Sequence, residues 1–245
     1  MIQSLCRAVD ILRCFEHQEM LGITELAEKT GLNKSTAFGL ISTLTAEGLL
    51  EQDSLTGRYR LGLELFRLGN LVNTDTRRLV MPELEKLTEL LEETVNYVRP
   101  EHGNVVYLIK KESPHSMRIC TKTGQRLPMY CTAVGKAMLA WMEEDEREQI
   151  ISNFQFVAYT ENTVADKDAL REQLRKIRSS GFAVECEELE YGLVCVAVPV
   201  LDRKGNPIAA ISCSGPKARM TESKIHECRD ALMASVRYLA GIMPL

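Results

Sequence analysis

The chain lacks any uninterrupted apolar stretch near the roughly 20 residues needed to cross a bilayer, and it shows no charged leader followed by an apolar segment. A cytoplasmic protein with no membrane partner is therefore expected. Its eight cysteines have neither the paired spacing of a metal site nor the density of a small secreted scaffold. Reduced thiols are expected, with no metal and no cofactor. Histidine is scarce as well. Of the four present, His102, His115 and His226 fall in or near the C-terminal part, and none sits in a recognisable catalytic signature. An enzyme using Cys195 as nucleophile or Glu185 as general base would lack the partner such chemistry needs. Positive charge is not in excess either. Residues 1–62 hold six Lys or Arg (Arg7, Arg13, Lys29, Lys34, Arg58, Arg60) against eight Asp or Glu. Only the local placement of Lys34, Arg58 and Arg60 favours phosphate contact.

What is present is length and apolar content: 245 residues, 45% hydrophobic, enough for a small domain plus one of ordinary size. Residues 1–62 read as a winged helix-turn-helix. Leu5, Ala8, Val9, Ile11, Leu12 and Phe15 make the apolar face of a first helix. Thr24 is placed to cap a second, short helix over 25–29, which Gly31 ends. Asn33 then caps a third helix, with Leu40, Ile41 and Leu44 at helical spacing and a polar front of Lys34, Ser35, Thr36 and Ser42. Gly48 stops it. Segments 49–52 and 58–61 flank the turn 53–57 as a hairpin would, which makes the wing. A helical hairpin that merely packs on a neighbour is the alternative. Docking in the major groove assigns Asn33, Lys34, Ser35, Thr36, Phe38, Ser42, Arg58 and Tyr59 to DNA.

A linker helix is expected over 63–78, and Pro82 is expected to open the next helix through Leu84, Leu87, Leu90 and Leu91. Residues 79–245 then read as an α+β domain around a central antiparallel sheet. Strands are expected at 96–99, 105–109, 117–120, 182–187, 193–200 and 208–214, and helices at 134–142 and 167–179. Period-2 alternation puts Cys195 on one face with Leu193 and Ala197, and Ser212 with Ser214. Two hydroxyls on one strand face suit a small polar ligand, although strand hydroxyls are also often satisfied locally. Glu185 alternates with apolar neighbours and is either the charged group of the same pocket or a solvated member of an acidic run.

These segments resemble the bacterial IclR-type transcriptional regulators along nearly the whole chain. The stretch Gly31-Leu-Asn-Lys-Ser-Thr36 is similar to the family's recognition-helix opening, and 124–137 to its central signature. The segments 187–199 and 212–216 are similar to its late ones. The resemblance implies a GAF-like effector-binding domain and a homodimer, often a dimer of dimers, that binds operator DNA. It implies a small organic acid held by Glu185, Leu193, Cys195, Ser212 and Ser214, with the amides of Ala133 and Val134 taking the acid's carboxylate at a helix start. Two departures stand out. Gly39 replaces an Arg common in relatives, and Glu185 with Tyr130-Cys131 replaces Asp with Leu-His. The Pro128-Met-Tyr-Cys131 form resembles members that regulate sugar-acid catabolism, pointing to a sugar acid or 2-oxo acid. Repression is expected, with activation as the alternative.

Overall fold

Ile11, Leu26, Ala37, Ile41 and Leu50 each lie on the inward face of a short element and are almost fully buried together. In the computed structural model, which describes residues 2–16, 18–71 and 74–242, the chain divides into two compact units, 1–74 and 75–245. The first holds α1 (Gln3–Arg13), α2 (Ile23–Thr30), α3 (Lys34–Ala46), the antiparallel pair β1 (Leu50–Gln52) and β2 (Tyr59–Leu61), and α4 (Leu63–Gly69). Asp53 builds the wing tip, its carboxylate accepting from the Thr56 amide and hydroxyl at 2.7 Å each.

Several expectations need correction here. Helix α2 starts at Ile23, and its cap is Gly22, whose amide donates to the Glu25 carboxylate at 2.6 Å. The longer Glu25 reaches back where Thr24 was expected to act. On α1 only Ile11 is buried, with Phe15 in the following turn, whereas Leu5 and Val9 are exposed on another face. The expected linker over 63–78 includes residues 72 and 73, which lie outside the described residues. Around them stand α4 and α5 (Thr74–Leu91).

The second unit is a six-stranded, wholly antiparallel sheet. Its strands are β3 (Thr94–Glu101), β4 (Asn104–Lys111), β5 (Arg126–Pro128), β6 (Ala183–Cys186), β7 (Leu193–Leu201) and β8 (Pro207–Pro216), in the order β5-β4-β3-β8-β7-β6. On one face α5 and α9 (Glu222–Ile242) bury Val194, Val196, Val198, Ile211 and Cys213. On the other, α6 (Ala133–Leu139) and α8 (Lys167–Ser180) pack on the small residues Ala183, Ala197 and Ala210. A further helix, α7 (Glu144–Ser152), and α9 had no forecast from sequence. Among the described residues no helix is long and apolar enough to cross a membrane.

Pro82 lies inside α5 rather than opening it. The buried row Val80, Leu84, Leu87 and Leu91 runs through it, and this burial outweighs the lost backbone bond. Residues 117–120 form no strand. Their carbonyls are taken by side chains instead, Met117 O by Arg219 at 3.0 Å and Ile119 O by Thr94 at 3.2 Å. Helix α6 ends at Leu139. It sits so near the turn before it that a Cβ on Gly135 would lie 2.3 Å from Met129 Cα. Gly135→Ala is expected to cost about 3 kcal/mol or more, because backbone has to move. Urea unfolding that gives wild-type stability would show that the turn yields freely.

Candidate functional site

In the first unit the candidate interface is the front of α3. Asn33 caps it, accepting from the Thr36 amide at 2.8 Å and from the Ser35 hydroxyl at 3.0 Å. Burial of Ala37, Ile41 and Leu44 fixes the helix's roll, leaving Lys34, Ser35, Phe38, Gly39 and Ser42 exposed and Thr36 half-buried. Phe38 is 56% exposed, an apolar surface of the kind that meets thymine methyl groups. Two assigned residues do not belong with these. Tyr59 is buried in the core, and its backbone pairs with Leu21 through bonds of 2.8 and 3.0 Å. Arg58 donates to Glu25 at 2.8 Å and to Met20 O at 2.9 Å, so it fastens the wing to α2. The other cation of the wing, Arg60, pairs across the strands with Glu51.

In the second unit the sheet register brings the polar residues together. Glu185 stands opposite Cys195, Cys195 opposite Ser214, and Ser214 opposite Thr94, while Ser212 stands opposite Asn96. Of these, Glu185, Cys195, Ser212 and Ser214 face a cavity of about 290 Å³, also lined by Ala133, Val134 and Leu193. All seven residues assigned from sequence to the pocket thus line one cavity. Thr132 Oγ1 caps α6 by accepting from the Gly135 amide at 3.2 Å, and the first helical acceptance by Thr132 O comes from Lys136. The amides of Ala133 and Val134, first in α6, have no acceptor within the helix.

Glu185 is 1% exposed, which settles its surroundings. Burial pushes its carboxyl above the ordinary range, opposed by the Glu188 and Leu189 amides, which donate to Oε1 at 2.5 and 3.2 Å. The Cys195 thiol, hydrogen-bonded to Glu185 and Ser214, is pushed well up, by burial first and then by the neighbouring acid. It is therefore a neutral donor and not a ready nucleophile.

Several lining residues escaped the sequence reading: Arg118, Thr121, Tyr107 and Leu127. Asn96 lies beneath them, donating to Ser212 Oγ at 3.4 Å and accepting from Thr121 at 2.7 Å. Asn96 carried a usable signal, an amide side chain between the apolar Val95 and Tyr97-Val98. Arg118 and Thr121 carried none, since they arrive on the irregular segment between β4 and β5.

A winged helix-turn-helix followed by such a domain defines a DNA-binding transcriptional regulator. The profile for "Bacterial transcriptional regulator IclR C-terminal" matches residues 69–240, and that for "IclR helix-turn-helix domain" matches residues 4–54. The chain belongs to the IclR family. It is 33% identical over 244 residues to the HTH-type transcriptional regulator KdgR of Escherichia coli, covering 99% of this chain and 93% of that one. To the HTH-type transcriptional repressor AllR of Salmonella typhi it is 34% identical over 226 residues, covering 91% and 83%. The crystal structure of the IclR transcriptional regulator from Alicyclobacillus acidocaldarius superposes with a TM-score of 0.88 at 26% identity, covering 98% of both chains. These relatives are named regulators, and the chain is a regulator rather than an enzyme.

A raised carboxyl in the folded state means that the native protein holds its proton longer than the unfolded chain does. Stability associated with Glu185 is then full below the ordinary glutamate pKa and declines as pH rises through the raised one. Glu185→Gln is expected to melt higher relative to wild type at pH 8 than at pH 4. An equal difference at both values would show that the carboxyl ionises normally.

Proposed function

We propose that this regulator is a repressor whose hold on operator DNA is set by a small organic acid bound in the 290 Å³ cavity. The observation that carries the ligand half is the polar row Glu185, Cys195 and Ser214 on a sheet face otherwise given to core. Buried polar groups are kept where they are paired or meet a ligand. The Ala133 and Val134 amides receive the acid's carboxylate. Ser212 and Ser214 bind its oxygens, while Glu185 and Cys195 meet a hydroxyl or carbonyl further along. Leu193 closes the apolar side. A sugar acid or 2-oxo acid fits this mix of donors and acceptors.

For DNA, the exposed front of α3 enters the major groove with Lys34, Ser35, Phe38 and Ser42, and Asn33 and Thr36 order its first turn. A repressor role is supported by the relative named as one. Self-association into a homodimer, and from it a dimer of dimers, is supported by exposed Ile2, Leu5 and Val9 along one face of α1. Exposed Leu63 and Phe66, one helical turn apart on α4, add to that support, because large exposed apolar patches mark interaction sites. A protein that works on operator DNA in a bacterium acts in the cytoplasm.

Fluorescence anisotropy on DNA from upstream of its own gene, with and without glyoxylate, pyruvate, gluconate and galacturonate, tests both halves. Ser212→Ala combined with Ser214→Ala is expected to abolish the shift caused by an acid while leaving operator affinity within about twofold, as for independent sites. Equal loss of both functions rules out a separate ligand site. Lys34→Ala is expected to weaken binding to all sequences and to reduce the slope of log affinity against log salt by about 1. An unchanged slope removes Lys34 from the interface.

A further inference from the structure

Two ionisable side chains are buried at a place where the sheet needs only apolar packing. Lys136, on the cavity-lining helix α6, is 1% exposed and forms an ion pair with buried Glu188. Its ammonium also donates to Gln173 Oε1 of α8 at 2.7 Å. Taking such a pair out of water gains little over an apolar pair of the same volume, while removing one partner strands the other's charge. What the pair does supply is a fixed relation between two pieces of chain, and both pieces border the cavity.

One piece is α6, which begins with Ala133 and Val134. The other is the turn 187–192, whose Leu189 and Glu190 also line the cavity. The turn holds Glu185 directly, since the amides of Glu188 and Leu189 both donate to its Oε1. The same turn is tied on its far side by Thr163, whose hydroxyl donates to Glu188 O at 2.6 Å. Glu188 is therefore the joint between the carboxylate in the cavity and helix α6.

We propose that Lys136 and Glu188 are positioning residues of the ligand pocket, their ion pair locking the turn 187–192 to α6 and so holding the Glu185 carboxylate against Cys195. The proposal rests on reading this cavity as the ligand site, yet its test needs no ligand. The Cys195 thiol reports on Glu185, because a carboxylate beside it suppresses the thiolate that reacts with alkylating agents.

The experiment is the rate of Cys195 alkylation by iodoacetamide in the full-length protein, followed by peptide mass spectrometry, alongside thermal melting. Lys136→Met is expected to melt lower and to alkylate at Cys195 about tenfold faster, because a thiol freed from a neighbouring acid ionises more readily. The paired change Lys136→Met with Glu188→Leu, an apolar substitute, is expected to recover melting but keep the fast alkylation. Recovery of both properties in the paired variant would show that the ion pair serves stability alone, and so would a wild-type rate in folded Lys136→Met. Failure of both variants to fold would overturn the proposal in the same way. None of these outcomes touches the ligand-site reading, which the anisotropy titration decides separately.

Discussion

The second unit depends on a sheet buried on both faces. With α5 and α9 against one side and α6 and α8 against the other, every strand residue between them has to be apolar, paired, or turned toward a cavity. Strands β7 and β8 meet this demand by alternation: Val194, Val196, Val198, Ile211 and Cys213 face one layer, while Cys195, Ser212 and Ser214 face the other. The antiparallel register then lines up Glu185, Cys195, Ser214 and Thr94 across four strands. A one-residue slip in any pairing would send these groups into the apolar layer, so the core that stabilises the sheet also fixes the pocket.

The pocket's chemistry follows from how Glu185 and Cys195 are held inside it. Glu185 is buried with two backbone donors, and Cys195 is neutral and wedged between an acid and a hydroxyl. The same site that looks like a thiol and a carboxylate poised for catalysis is, once burial is counted, a set of fixed donors and acceptors. Binding is what such a set does well, because its hydrogen bonds are already oriented when a ligand arrives.

In the first unit the division of labour is different. Arg58 and Tyr59 lie in the stretch that sequence alone assigns to DNA, yet one fastens the wing to α2 and the other fills the core. A unit this small has few residues to spare for packing, so wing residues are recruited to it. The exposed polar surface is left to the side of α3 that burial of Ala37, Ile41 and Leu44 turns outward.

Local pattern by itself determined the elements whose signal is carried within a few residues. The Asn33 cap and the stop at Gly31, with φ 66°, were readable because capping and left-handed turns depend on adjacent atoms. The alternation in β7 and β8 was readable because its period is two. Tertiary structure decided the rest. Asn96 meets Ser212 across 116 positions, and no local pattern encodes that pairing. Arg118 and Thr121 reach the cavity on a segment without a ladder, held by side chains from distant elements. Whether Glu185 faces water or the pocket turned on the same cause: it borders an acidic run in sequence yet is itself buried in space, and burial is set by what packs above it.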